Sequence, residues 1–230
     1  MNQFDVDEIK ELQSRSLVEV ISRQLEGMIL SGSIQPGERI NESRIASLLG
    51  VSRAPIREAL RHLSSSGILQ TQTNRGMFVR EIKGREVDEL YDIRAALDAL
   101  AGERAAELIN EGHQQVLDKW MQEMAVCVEA SDTGAYFRAN LDFHTAIVKI
   151  SGNENLLSIY EGICKRMSLF RRVSLSLPGQ LSVSLRRHGL ILEAITSRDP
   201  ARAAEVLRNH TLEAKKTLLR AIREKKGAQE

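Results

Sequence analysis

A mainly α-helical chain is predicted, with an N-terminal winged helix-turn-helix followed by a C-terminal antiparallel all-α helix bundle. Three observations predict it. Apolar residues recur at steps of three and four along most of the sequence. That period gives way only once, to the short β-prone runs Ile68–Thr71 and Met77–Val79. The early helices are short and split by glycine-containing turns, whereas the later ones are long. With 230 residues, 42% of them hydrophobic and 27% charged, the chain can bury the cores of two modest domains. An N-terminal arm at 1–15, a winged helix-turn-helix unit at 16–81 and a helical unit at 82–230 are expected.

The arm is polar and mixed in charge, and reads as weakly ordered or as a short helix. Leu17, Val20, Ile21, Leu25, Met28 and Ile29 then form one apolar stripe that stops near Ser31-Gly32, giving the first helix. Gln35-Pro36-Gly37-Glu38 is a turn, because proline presets one backbone angle and glycine frees the next. Asn41 or Glu42 opens a second helix with Ile45, Leu48 and Leu49 on one side, and Gly50 ends it. Ser52 caps a third, in which Ile56, Ala59, Leu60 and Leu63 face inward. The two β-prone runs, joined through Asn74, Arg75 and Gly76, make a small wing. After Gly84, breaks near Asn110, Ser131-Asp132, Ser151-Gly152-Asn153, Leu177-Pro178-Gly179 and Arg198-Asp199-Pro200 delimit about six helices of an antiparallel bundle. Ser131 or Asp132, and Asp199 before Pro200, suit N-caps.

Composition excludes several classes. Cys127 and Cys164 sit inside amphipathic patterns and read as reduced core residues. Asp5, Asp7 and Glu8 stand where a signal peptide would be basic, and no apolar run of membrane-spanning length occurs, so a soluble, cytoplasmic protein with no membrane partner is expected. The net charge of +1 says little. Between Ser43 and Arg80, however, Arg44, Arg53, Arg57, Arg61, Arg75 and Arg80 face the single acid Glu58.

In a helix-turn-helix the second helix enters the major groove, and outward residues near its N-terminus reach phosphates and base edges. Ser52, Arg53, Ala54 and Pro55 form that first turn, with Arg57 one turn on. Arg53 is the expected base contact. Small Ser52 and Ala54 allow close approach; Ser43 and Ser52 suit phosphates; Arg44, and Arg75 with Gly76 on the wing, suit backbone or groove. His62 is expected to be merely exposed. In the second unit, Asn140 and His144 share one helix face, and His188 and His210 follow on later helices. Three imidazoles and an oxygen donor suit zinc, nickel, iron or manganese, although an inward histidine taken singly is more often a hydrogen-bonded core residue than a ligand. Asp142 points the other way round its helix. Read from spacing alone, Arg94 forms an exposed salt bridge with Asp98 one turn on. Arg166, Arg171 and Arg172 fit a solvated face better than a cavity.

Residues 17–80 resemble the winged helix-turn-helix of GntR-family regulators, through Ile34-Gln35-Pro36-Gly37-Glu38-Arg39-Ile40, the run Leu49 to Leu60, and Gly67-Ile68-Leu69 to Arg75-Gly76-Met77-Phe78-Val79. The resemblance implies operator contacts from Arg44, Arg53, Arg57 and the wing at Arg75-Gly76. The phrases Asn140-Leu141-Asp142-Phe143-His144, Ser151-Gly152-Asn153, His188 to Ile195 and Asp199 to His210 resemble the FadR-type C-terminal FCD domain. That branch implies a metal held by an acid four residues before the first histidine and by three histidines, a small carboxylate effector completing the sphere, and an effector-facing arginine at Arg94. Here Asn140 replaces the acid, a neutral and weaker ligand. A homodimer on palindromic double-stranded operator DNA follows from the family and from two-fold half-site logic. An allosteric repressor is the reading chosen. A metal-dependent hydrolase lacks a placed acid or base, and neither G-x-S-x-G nor H-E-x-x-H occurs. An effector-independent DNA-binding protein would make the histidines plain core.

Overall fold

A computed structural model describes residues 6–30, 32–81, 84–175 and 179–227, and the side chains of residues 17–29, 32–81, 84–167 and 179–223. The chain divides into two compact units, Met1–Glu81 and Ile82–Glu230.

In the first unit, α1 (Val6–Leu30) buries Val18, Ile21, Leu25 and Ile29, which recur at helical spacing and pack it on one side. It begins at Val6, so of the segment expected as a weakly ordered arm or a short helix, residues 6–15 are helical and continuous with α1; residues 1–5 lie outside the described residues. Helix α2 (Glu42–Leu49) starts where the Asn41 side chain accepts from the Arg44 amide, and ends at Gly50, whose φ of 65° is left-handed. Helix α3 (Arg53–Ser65) buries Ile56, Ala59, Leu60 and Leu63. Ser52 occupies its N-cap position without a side-chain cap bond. One reason is local: Pro55, the third helical residue, has no N–H to offer.

Strands β1 (Leu69–Gln72) and β2 (Gly76–Val79) pair antiparallel, Leu69 opposite Val79 and Gln72 opposite Gly76. The first strand starts one residue later than expected because the Ile68 amide closes α3 on the Leu63 carbonyl. Arg39 adds a bridge to Phe78, tying the Pro36-Gly37 turn to the wing.

Helices α4 (Gly84–Leu108), α5 (Glu111–Glu129), α6 (Thr133–Ile150), α7 (Glu154–Leu175), α8 (Gln180–Thr196) and α9 (Pro200–Gly227) build the second unit. Asn110, Asp132 and Asp199 accept from the backbone amides of His113, Ala135 and Arg202, so the polar breaks act as N-caps. Ser131 instead takes a φ of 53°, and Asp132 is the cap. Around Leu117, Met124, Tyr136, Phe143, Ile147, Tyr160, Ile191, Ile195 and Leu207 these helices close one core, which also takes in Cys164. Neither cysteine is in a disulfide. Helix α4 contacts α6, α7, α8 and α9, so its inward side chains lie at the centre of the bundle. Among the described residues no helix is long and apolar enough to cross a membrane.

The α4–α9 crossing depends on Gly102. A Cβ there would stand 2.8 Å from Leu207 Cδ1 and 3.0 Å from the Ala203 carbonyl oxygen. Because backbone cannot yield as a side chain does, Gly102→Ala is expected to cost about 1–3 kcal/mol. Thermal melting would register this as a fall of several degrees; an unchanged or higher Tm would show that the crossing has slack.

Candidate functional site

Two places collect the residues singled out by the sequence. In the first unit Ser43, Arg44, Ser52, Arg53, Ala54, Arg57, Arg75 and Gly76 are exposed and Pro55 is half-buried. The buried side of α3 fixes Arg53 and Arg57 on the opposite, open side, one turn apart. Arg53 makes no ion pair among the described residues. Arg57 does: its Nε lies 2.9 Å from Glu42 Oε2. Glu42 stands just before the cationic stretch that begins at Ser43. Such an exposed pair contributes little, and its guanidinium can exchange a carboxylate for a phosphate at small cost. The Arg75 guanidinium lies 5.6 Å from the Phe78 ring centroid, which braces it on the wing. His62 is exposed and 3.5 Å from Glu58.

In the second unit the folding of α6, α8 and α9 brings Asn140, His144, His188 and His210 together. Asn140, His144 and His188 are buried and His210 is half-buried. One ligand atom of each histidine lies within 4.8 Å of the others. His188 and His144 present their Nε2 atoms to each other at 3.2 Å, and Asn140 Nδ2 lies 3.1 Å from His188 Nε2. Nitrogens about 2.0–2.1 Å from a tetrahedral zinc ion lie about 3.3 Å apart, so the first distance fits a shared ion. His188 Nδ1 is 2.7 Å from the Ser184 carbonyl oxygen, which turns its Nε2 toward the cluster. Phe143 packs edge-on against His144 and His188, limiting their rotation.

Arg94 and Asp98 pair as i and i+4, Nε to Oδ2 at 3.1 Å, but the pair is buried rather than exposed, each residue 1% accessible. Arg94 also donates to the Tyr160 hydroxyl at 2.9 Å, and Thr211 donates to Asp98 Oδ2 at 2.6 Å. Burial works against the Arg94 charge, yet Tyr160 and Asp98 more than offset this and hold its pKa above the ordinary range. Asp98 Oδ1 lies 3.8 Å from His144 Nδ1. Sequence reasoning missed Asp98, Tyr160 and Thr211 as parts of the site. Only the Arg94–Asp98 spacing hinted at it. Arg166 bonds Glu86, and the side chains of Arg171 and Arg172 lie outside the described residues. Asp142 is exposed, away from the cluster.

Residues 17–79 match the family described as bacterial regulatory proteins, gntR family, and residues 89–213 match the FCD domain. The HTH-type transcriptional regulator YdhC of Bacillus subtilis is 32% identical over 188 residues, 81% of this chain and 84% of that protein. The HTH-type transcriptional repressor RspR of Escherichia coli is 26% identical over 204 residues, 89% of each chain. The solved structure of Escherichia coli McbR/YncC shares the fold, with a TM-score of 0.78 at 24% identity, over 89% of this chain and 97% of that one.

Proposed function

This chain belongs to the GntR family of bacterial regulatory proteins and carries an FCD domain, and from that and its histidine cluster we infer a repressor governed by a small organic acid bound at a metal. It is a transcriptional regulator that binds operator DNA, not an enzyme. The convergence of His144, His188 and His210 inside the FCD domain carries the effector reading. These three imidazoles would hold a divalent ion such as zinc, nickel, iron or manganese, with Asn140 beside them. A bound ion supplies a Lewis-acidic position for an anionic oxygen of the effector. Arg94, already engaged by Asp98 and Tyr160, acts on the effector side through Asp98 rather than as an open clamp.

We place Ser43, Arg44, Ser52, Arg53, Ala54, Pro55, Arg57, Arg75 and Gly76 on the DNA, with Arg53 reading base edges. A homodimer suits a two-fold operator. Effector binding shifts operator affinity by favouring one arrangement of the dimer, with a coupling of about 1–3 kcal/mol.

Elemental analysis of gently purified protein, thermal shifts across sugar acids, hydroxy acids and dicarboxylates, and operator affinity with each stabilising acid test the reading. Near-stoichiometric metal with one acid that both stabilises the protein and releases DNA is expected. Absence of metal would overturn the metal part; no acid that changes operator affinity would overturn the effector part. On the DNA side, Arg53→Ala is expected to lose about 1–3 kcal/mol on the operator and to blur its preference. Equal losses on operator and random DNA in a binding assay would place Arg53 on the phosphates instead.

A further inference from the structure

We propose that Asp98 is the carboxylate that compensates the metal charge at this site, acting through His144 in place of the acid that Asn140 lacks; the inference rests on the metal reading above. The inner groups are all neutral. Three imidazoles and an amide offer no formal negative charge to a divalent ion in a buried centre, where an uncompensated charge is costly. Among the described residues Asp98 is a 1% exposed carboxylate whose Oδ1 makes no hydrogen bond and lies 3.8 Å from His144 Nδ1. Its other oxygen is fixed by Arg94 Nε and the Thr211 hydroxyl, so Oδ1 is held facing α6.

That placement divides the imidazole's labour. His144 Nε2, 3.2 Å from His188 Nε2, faces the cluster, while Nδ1 faces the carboxylate. At 3.8 Å the contact is an electrostatic one rather than a hydrogen bond. A proton on Nδ1 facing the Asp98 charge leaves the Nε2 lone pair for the ion and makes the ring a stronger donor, and a small approach of the two groups would complete a carboxylate–histidine–metal arrangement. The Ser184 carbonyl does the same for His188, but without a charge. Asp98 is a positioning residue with an electrostatic role, and Arg94 sets how much of its charge reaches His144.

Zinc titration of the full-length, metal-stripped protein by calorimetry, with Asp98→Asn, Asn140→Asp and the double variant, tests this. Asp98→Asn is expected to weaken zinc binding about 10–100-fold, the usual loss for an outer-sphere partner. Asn140→Asp in the same chain is expected to restore most of that loss by returning a charge directly. Equal affinity in wild type and Asp98→Asn overturns the proposal and leaves the metal reading intact. Loss without rescue also overturns it, as the mark of a merely structural Asp98. A wild type that binds no zinc overturns both. Asp98→Asn leaves Arg94 buried beside a neutral partner, so circular dichroism must show it folded. Should it fail to fold, the histidine 15N spectrum of zinc-loaded wild type decides. Ligation of His144 through Nε2 with a proton on Nδ1 supports the proposal, and ligation through Nδ1 overturns it.

Discussion

Replacing His188 with Ala is expected to lower the affinity for zinc by more than about hundredfold, because groups that only orient a ligand already account for 10–100-fold. His188 is fully buried, its Nδ1 is anchored by the Ser184 carbonyl, and its Nε2 stands within 3.2 Å of both Asn140 Nδ2 and His144 Nε2. Its removal takes away a donor and the common neighbour of the other two groups. Metal-dependent stabilisation should vanish with it: an ion present at a hundred times its Kd adds about 2.7 kcal/mol, which the variant should no longer gain. His113→Ala is the control, since that half-buried imidazole lies on α5 against the Leu108 carbonyl. Calorimetry and melting curves with and without zinc check both variants. An unchanged zinc affinity in His188→Ala would remove the cluster from consideration as the metal site and leave it a polar core.

Much of the fold was legible because it is local. The breaks at Asn110, Asp132 and Asp199 act through side chains that accept from amides three residues on, and such chemistry is written in adjacent letters. The histidines were legible as a set because Asn140 and His144 share a helix face and the other two occupy inward positions. The first ten residues of α1 are not legible as part of it, since residues 6–15 carry no clean apolar stripe. Ser52 has the side chain of a cap, yet the proline three residues later offers it no amide. Asp98 was illegible as a site residue for a different reason. Its spacing from Arg94 suggests an ordinary surface pair, and only the packing of α4 against α6 and α9 sets it beside His144 and Thr211, the latter 113 residues away. Glu42 escaped likewise, its partner Arg57 lying 15 residues on in another helix.

The buried pair leads to the second large effect, this one on stability. Arg94→Met should destabilise the second unit by about 3–5 kcal/mol, because it removes one partner of a buried ion pair and strands the other. Asp98 would keep the Thr211 hydroxyl but lose its counter-charge, and Tyr160 would lose its donor. For a chain of this size each kcal/mol moves Tm by about 2–4 °C, so a fall of roughly 6–20 °C is expected in calorimetric melting. Lost volume does not explain such a fall, since methionine nearly fills the space of the arginine stem. The double variant Arg94→Met/Asp98→Leu separates the causes. Replacing the whole pair with apolar side chains is often neutral or stabilising, so the double variant should melt well above the single one. It should still bind zinc poorly, because the carboxylate behind His144 is gone with the pair. Recovery of stability without recovery of metal binding would mean that this pair is kept for the site it serves. A single variant melting within about 2 °C of wild type, under 1 kcal/mol on the same scale, would show instead that water reaches Asp98 and that its charge is not confined to His144.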